Sequence, residues 1–268
     1  MRRLRTFGAG DTMYHLGIGY AHPNMITAGS AERVEKIAQY LENPVVIESK
    51  RKLVTVHGGY KGIPVTAITT GMGPASVSCT LPEAIEACDS DRMTIIRLGT
   101  SGGLQEYLRI GDFVVTTDVD AAESTSAKIM GHGYLAEASP DVVSELARTA
   151  GEQKLPFQNV YAGRTRTTDE LYCDNMDLRA RYLKDKSEGK KPWDLIAVSM
   201  EASAHFAIRD RYNLDQNRDI RAGELLTVSD IVVFAEGQRA DMTEFLAHQA
   251  DIERAHLLAG LEALVALK

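Results

Sequence analysis

The stretch that decides the fold is Thr94-Ile95-Ile96-Arg97-Leu98-Gly99-Thr100-Ser101-Gly102-Gly103. Its apolar, β-branched start predicts a buried strand, and the glycines after Arg97 predict a loop in which backbone N–H groups can approach a small ligand. A guanidinium and hydroxyl groups in such a loop can bind an anion. An unpaired arginine is costly to bury, so Arg97 either binds an anionic ligand or pairs with a carboxylate of the protein. Both interpretations are open at this point.

An apolar run followed by small or polar residues recurs along the chain. Predicted strands end at Gly29, Gly71, Gly99 and Ser229, and segments with helical periodicity separate them. Ligands bind at the carboxyl ends of strands in open α/β sheets, so we expect these four loops to share one site. The alternation predicts an α/β protein in which residues 1–268 form a single domain, with a central mixed β-sheet flanked by helices.

Individual elements follow from the same periodicities. Strands are predicted over 24–28, 94–98, 113–117, 195–198 and 225–228, and a hairpin with strands 53–57 and 64–70 around a turn at 58–62. Helices are predicted over 31–41 with Ser30 as N-cap, from 71 to about 88, and over 140–151, 201–212 and 242–267. The charged segment 184–193 is predicted to be an exposed loop, either a flap over a pocket or plain solvated surface.

The composition disfavours several classes of protein. The 268 residues are 44% hydrophobic and 25% charged, and the net charge of −7 with scattered basic residues predicts neither a nucleic-acid nor a membrane partner. The basic start, Met1–Arg5, lacks the apolar run of a signal peptide. Cys79, Cys88 and Cys173 are odd in number and lack metal-ligand spacing, which predicts a reduced, cytoplasmic protein without a catalytic metal. Neither the phosphate-loop lysine motif nor the dinucleotide fingerprint is present, so no nucleotide cofactor is expected.

Taken together, the motifs of this chain resemble the hexameric-type nucleoside phosphorylases, and overall the uridine phosphorylases among them. They occur in the family's order at Tyr14-His15-Leu16-Gly17, Gly29–Arg33, Gly71-Met72-Gly73, Arg97-Leu98-Gly99-Thr100, Met200-Glu201 and Ser229-Asp230. The resemblance implies that inorganic phosphate, as co-substrate and without a cofactor, cleaves a nucleoside into ribose 1-phosphate and free base. It also implies a homo-oligomer, with a dimer as the smallest active unit and a hexamer possible.

The resemblance implies phosphate ligands at Gly29, Arg33, Arg97 and Thr100, completed by Arg51 from a neighbouring subunit. A backbone N–H beside a helix start and several guanidinium groups suit a dianion. From the sequence itself, a solvated charge beside a strand is the stronger interpretation of Arg51, and Arg33 could likewise be a surface residue of a helix.

The resemblance also implies ribose contacts. Glu201 would accept hydrogen bonds from two ribose hydroxyls and stabilise a cationic anomeric carbon, with Met200 packed on the sugar. His15 would bind the ribose 5′-hydroxyl across a dimer. Without the resemblance, Glu201 is an ordinary acid in a first helical turn and His15 a surface residue. Ser199 departs from the family, which usually has an acid there.

The base-binding residues are the least typical of the family. Leu171, Tyr172, Asn175 and Asp177 occupy the stretch that grips uracil in uridine phosphorylases, and the carboxylate of Asp177 stands where a guanidinium is expected. Asp230 resembles the acid that protonates purine N7 in bacterial purine nucleoside phosphorylases, and a carboxyl group in a dry pocket could supply that proton. It could also simply cap the next segment.

The resemblance therefore implies Arg97, Glu201 and Asp230 as catalytic residues of a phosphorylase that is most like uridine phosphorylase. A purine nucleoside phosphorylase acting on inosine or guanosine is the alternative. A hydrolase of the same fold and a non-catalytic nucleoside-binding protein also stay open, although a hydrolase has no need for a cluster of phosphate-binding arginines.

Overall fold

The computed structural model describes residues 12–190, 193–233 and 241–268, and in these ranges strands and helices alternate. The strands are β1 (Asn24–Ala28), β2 (Glu42–Glu48), β3 (Val54–Tyr60), β4 (Ile63–Thr69), β5 (Arg92–Gly103), β6 (Phe113–Ala122), β7 (Ala136–Glu137), β8 (Val160–Thr168), β9 (Leu195–Ser199) and β10 (Asp219–Ile231). The helices are α1 (Ala31–Ile37), α2 (Pro74–Glu86), α3 (Thr125–Met130), α4 (Pro140–Gln153), α5 (Leu171–Ser187), α6 (Ala202–Gln216) and α7 (Thr243–Ala266).

The strands form one mixed sheet in the order β10-β6-β8-β9-β5-β1-β4-β3-β2, with β7 paired to β6. Because β10 also pairs with β5, the strands β5, β10, β6, β8 and β9 close on themselves as a barrel. β1 runs parallel to β4 and β5, and β5 runs parallel to β10. The carboxyl ends of these four strands therefore lie at one edge, and the predicted α/β fold with a mixed sheet is confirmed.

The two faces of the sheet are both covered by helices. Ile26 and Ile96 pack in a cluster with residues of α1, α4 and α7, whereas their strand neighbours Met25 and Ile95 pack in a second cluster with α2 and α6. Near-continuous apolar runs are what strands buried on both faces require. None of the helices in the described ranges is long and apolar enough to span a bilayer.

The predicted hairpin is present as β3 and β4, but its turn is shorter than predicted. The turn lies at Lys61-Gly62, and the predicted turn residues Gly58 and Gly59 are inside β3. A Cβ on Gly58 would lie 2.8 Å from the Cβ of Leu41, so glycine serves close packing there. The neighbouring strand β2 was missed because it is an exposed edge strand without alternating burial.

Several predicted ends were also wrong. The helix after Ser30 ends at Ile37 and continues as a 3₁₀ turn, and α7 contains non-helical backbone at His248. β5 continues beyond Gly99 and β10 beyond Ser229, because closure of the barrel supplies both with partners.

The charged segment 184–193 is not simply a loop. Its first four residues form the last turn of α5, while Lys191 and Pro192 lie outside the described residues. Helix α5 has few buried residues, so the sequence lacked a strong apolar stripe to reveal it.

Candidate active site

The centre of the site is Arg97, which is buried inside the barrel between two carboxylates. Its Nη1 donates to Glu224 Oε1 at 2.7 Å, and its Nη2 donates to Glu201 Oε2. The exposed fractions are 3% for Arg97, 4% for Glu201 and 0% for Glu224. The guanidinium folds back over Gly99, where a Cβ would overlap Nη1. The structure thus shows the interpretation in which Arg97 pairs with carboxylates of the protein, and we call these three residues the barrel cluster.

Glu224 was not identified from the sequence. It lies on β10 directly beside Arg97 in the parallel register, and its Oε2 accepts a hydrogen bond from Thr116 on β6. Burial raises the pKa of Glu224, and the Arg97 charge opposes that shift. The sequence feature that could have identified Glu224 is its place as an acidic residue within an otherwise apolar strand. A buried acid of this kind needs a buried partner.

Glu201 is held at the start of α6 by groups from two loops. Its Oε1 accepts from the backbone N of Gly73 at 3.1 Å, and its Oε2 accepts from the backbone N of Met200 at 3.3 Å. Although Glu201 occupies the N-cap position, its side chain does not cap the helix. The carboxylate is therefore oriented by Arg97 and by the loop after β4, whose Gly73 has a φ of +83°.

Arg33 extends from α1 to the same edge of the sheet. Its Nη1 donates to the carbonyl oxygen of Leu98 at 3.3 Å. Burial lowers the pKa of Arg33, and the charge of Arg97 lowers it further, which reflects how close the two guanidinium groups lie. The Nε atoms of Arg33 and Arg97 are both buried and have no hydrogen-bond partner within the described part of the chain. Two neighbouring cationic groups therefore each keep an unused donor.

A cavity of about 220 Å³ is lined by Arg33, by the charged residues Glu32, Lys36 and Glu253, and by four hydroxyl groups. These belong to Ser30, Thr100, Thr227 and Ser229. Gly29 precedes Ser30, and a Cβ on Gly29 would lie 3.5 Å from the carbonyl oxygen of Gly71, so the loops after β1 and β4 adjoin. The structure thus brings Gly29, Arg33, Arg97 and Thr100 to one edge of the sheet, together with Glu201.

Two histidines pack beside these groups without adding charge. His205 Nε2 lies 3.0 Å from Thr27 Oγ1, and burial together with the Arg97 charge lowers the pKa of His205 to about 3. His256 is part of the cavity lining, and burial together with the charges of Arg33 and Arg97 lowers its pKa to about 3. Both imidazoles are therefore neutral near pH 7.

His15 and Arg51 lie together on the surface. The guanidinium of Arg51 is 5.5 Å from the ring centroid of Tyr14, which makes an edge contact with His15. His15 Nδ1 lies 2.6 Å from Glu83 Oε1. We call Tyr14, His15 and Arg51 the surface patch, and its contacts are with one another and with α2.

The predicted base-binding residues lie on the first turns of α5. Tyr172 is 77% exposed and Asp177 is also exposed. Leu171 and Asn175 are partly buried, and Asn175 Oδ1 has no hydrogen-bond partner in the described ranges. Glu170 caps the helix by accepting from three backbone N–H groups. All four of these side chains are therefore positioned by helix α5.

Asp230 does not lie in the dry pocket that the sequence suggested. It is exposed after a bulge in β10, and its Oδ1 accepts from the backbone N of Ile231 at 2.8 Å. Ser199, by contrast, is buried and its Oγ has no partner among the described residues. Met200 beside it is partly exposed.

Solved structures with the same fold include two nucleoside phosphorylases. Uridine phosphorylase from Vibrio fischeri superposes with a TM-score of 0.77 at 20% identity and covers 96% of this chain and 99% of its own. Purine nucleoside phosphorylase from Toxoplasma gondii, in complex with immucillin-H, superposes with a TM-score of 0.76 at 21% identity and covers 97% and 98%. At these identities the likeness shows the fold.

Sequence relatives cover almost the same span. Guanosine phosphorylase from Halorubrum lacusprofundi is 28% identical over 251 residues, covering 93% of this chain and 95% of the relative. A DeoD-type purine nucleoside phosphorylase from Clostridium perfringens is 28% identical over 227 residues, covering 83% and 88%. The sequence model of the phosphorylase superfamily matches residues 23–265. Because this match spans most of the sequence, the chain belongs to the phosphorylase superfamily.

Proposed function

We propose that this protein is a nucleoside phosphorylase, in which inorganic phosphate cleaves the N-glycosidic bond to give ribose 1-phosphate and a free base. The observation that carries the proposal is the pair of neighbouring buried guanidinium groups, Arg33 and Arg97, whose Nε–H donors lack partners among the described residues, with Arg33 also lining a cavity that has four hydroxyl groups. Unsatisfied buried donors of like charge are costly unless an anion completes them. A water-using hydrolase would gain nothing from such a pair.

In the proposed complex, phosphate lies beside Arg33 and Thr100 and accepts hydrogen bonds from both. The backbone at Gly29 adds a donor near the start of α1, although a helix of this length contributes little by itself. Arg97 donates through Nε, which has no partner among the described residues, while each of its Nη groups already binds a carboxylate. Arg97 is therefore shared between the anion and the carboxylate of Glu201 that holds the sugar.

Glu201 is proposed to hold the ribose. Arg97 and Gly73 fix its carboxylate, whose remaining lone pairs can accept from two ribose hydroxyls while Met200 packs on the sugar. As the C–N bond breaks, its electron pair leaves with the base and positive charge develops on the anomeric carbon. The nearby carboxylate stabilises that charge, and a phosphate oxygen then forms the new C–O bond.

We propose purine nucleosides as the preferred substrates. Asp230 is exposed, and we propose that a bound purine excludes water from its carboxyl group, which then donates a proton to N7 and makes the base a better leaving group. Asp177 lacks the donors that would grip uracil. The relatives named above as guanosine and purine nucleoside phosphorylases support this choice. Uridine is the second candidate, favoured by the Tyr14-His15-Leu16-Gly17 motif.

We also propose that the active unit is at least a dimer, with a hexamer as a larger form. His15 and Arg51 lie together on the surface, as expected if both complete the site of a neighbouring subunit. The edge strand β2 beside them exposes Val45 and Val46 by about half. The cysteines are free thiols, which fits the expected reducing, cytoplasmic setting.

The test is base release from uridine, thymidine, cytidine, inosine, guanosine and adenosine, each with and without phosphate. We expect turnover only with phosphate, and fastest turnover for inosine or guanosine. Equal rates of base release with and without phosphate would identify a hydrolase. Binding of nucleoside without release of any base would identify a binding protein.

Replacing Asp230 separates the two substrate classes. Asp230→Asn should lower purine cleavage about 100-fold, because it removes the proton donor for N7. Uridine has no N7, so its cleavage rate in the same variant is the internal control. If both rates fall equally, Asp230 is structural.

A further inference from the structure

In the lining of the cavity, His256 fixes the direction of one hydroxyl group. His256 is 2% exposed, and its Nε2 lies 2.9 Å from the carbonyl oxygen of Leu225, whereas its Nδ1 lies 3.1 Å from Thr227 Oγ1. A carbonyl oxygen can only accept, so Nε2 must carry the proton. The pKa of His256, lowered to about 3 by burial and by the two arginine charges, leaves Nδ1 unprotonated.

The consequence concerns Thr227. Because Nδ1 is an acceptor, the Thr227 hydroxyl donates its only proton to it and presents lone pairs alone to the cavity. The neighbouring Ser229 behaves similarly, since its Oγ donates to the carbonyl oxygen of Ser101 at 3.2 Å. A cavity that offers donors at Arg33 therefore has acceptors on its β10 side.

We propose that Thr227, oriented by His256, selects hydrogen phosphate over sulfate by accepting a hydrogen bond from the P–OH group. The inference rests on the proposed function, because it places phosphate in the cavity beside Arg33 and Thr100. Hydrogen phosphate and sulfate are both dianions of similar size, but only hydrogen phosphate has a proton to donate. A sulfate oxygen placed against Thr227 would meet lone pairs and leave the acceptor unsatisfied.

Thr227 is thus a specificity-determining residue, and His256 is a positioning residue that acts through it. The same logic predicts that arsenate, which keeps an O–H group, is accepted like phosphate. Discrimination by a buried polar group that one ligand cannot satisfy is larger than discrimination by size.

The experiment is titration calorimetry of the full chain with phosphate, arsenate and sulfate at about pH 8, where phosphate is a dianion. For the unmodified protein we expect at least about tenfold tighter binding of phosphate and arsenate than of sulfate. Thr227→Val removes the acceptor at nearly constant volume and should reduce that ratio to about threefold or less. The matched control Thr227→Ser keeps the hydroxyl and should keep the ratio.

His256→Phe provides an independent variant. It frees the Thr227 hydroxyl to donate, so sulfate affinity should rise while phosphate affinity changes less. Circular dichroism of each variant confirms that it is folded, and the unmodified protein alone already tests the selectivity.

The outcomes separate this inference from the proposed function. Equal affinity for phosphate and sulfate with intact phosphate-dependent base release would overturn the inference alone. An unchanged ratio in folded Thr227→Val would also overturn it. Absence of both anion binding and phosphate-dependent release would overturn the proposed function as well.

Discussion

Arg97 in the barrel cluster and Arg51 in the surface patch are the same residue type in opposite settings. Arg97 is almost fully buried, and carboxylates on β10 and at the start of α6 bind its two Nη groups. Arg51 is exposed, and its aromatic contact is with Tyr14. The charge of the buried arginine is balanced within one chain, with Nε left for an anion, whereas the exposed arginine is accessible to a second chain.

The difference between the barrel cluster and the surface patch indicates which region carries each part of the proposed chemistry. Groups that must be fixed to within a fraction of an ångström, such as Glu201, are held by buried charge pairs and backbone N–H groups. Groups that the resemblance assigns to a subunit interface, such as His15 and Arg51, lie on a surface that a partner could cover. Substitutions in the barrel cluster should therefore lower both stability and activity, whereas substitutions in the surface patch should lower activity alone.

The largest expected effect comes from removing the arginine of the barrel cluster. Arg97→Ala leaves Glu201 and Glu224 buried without a counter-charge, which should lower the free energy of unfolding by about 3–5 kcal/mol. Urea unfolding measures this loss, and phosphorolysis should disappear with it. A loss below about 1 kcal/mol would contradict the view that these charges depend on one another.

The second effect is acid sensitivity of the interior. His205 and His256 have pKa values of about 3 in the native protein, whereas unfolded histidine has a pKa near 6.5. The unfolded chain binds more protons between these values, so this contribution to stability is complete above about pH 6.5. Below that pH it falls by up to about 1.4 kcal/mol per pH unit for each histidine.

Urea unfolding at a series of pH values tests this slope. Burial also lowers the pKa of His57 to about 4, so His256→Phe should remove about a third of the slope. The raised pKa of Glu224 acts in the opposite sense, because its native carboxyl group binds a proton at higher pH than in the unfolded chain. A stability that stays constant from pH 7 to pH 5 would show that the histidines are not buried as neutral groups.

The third effect distinguishes the two carboxylates on either side of Arg97. Glu201→Gln should lower kcat/KM about 100-fold, because the proposed contact with the sugar strengthens as positive charge develops. Glu224→Gln is the matched isosteric change on the side away from substrate, and it should cost less than about tenfold. Steady-state kinetics measures kcat/KM for both variants. Equal losses of kcat/KM would mean that Glu201 acts only through Arg97.

The smallest effect on stability is expected in the surface patch. Arg51→Ala should change the free energy of unfolding by less than about 0.5 kcal/mol, because its contact is exposed. If Arg51 binds phosphate in a neighbouring subunit, KM for phosphate should rise about tenfold while the fold is unaffected. An unchanged KM would remove Arg51 from the proposed site.

Much of the fold could be predicted because its signals are local. Apolar runs such as Thr94–Leu98 identify buried strands, and parallel strands place their carboxyl ends at one edge whatever the exact register. Hence Arg33, Arg97, Thr100 and Glu201 were expected together and lie at the same edge.

What could not be predicted depends on register and closure. Glu224 is 127 residues from Arg97 in sequence, and only the pairing of β5 with β10 places them side by side. The direction of the Thr227 hydroxyl depends on His256, which belongs to α7. Strand β2 and helix α5 were missed because both are largely exposed and so lack a burial pattern.

The most direct test of the account is a crystal structure of the protein with bound phosphate. We predict one phosphate with oxygens within hydrogen-bond distance of Arg33 and of Arg97 Nε, beside Thr100 and adjoining the carboxylate of Glu201. Phosphate bound elsewhere, with Arg33 and Arg97 facing separate surroundings, would contradict the central claim.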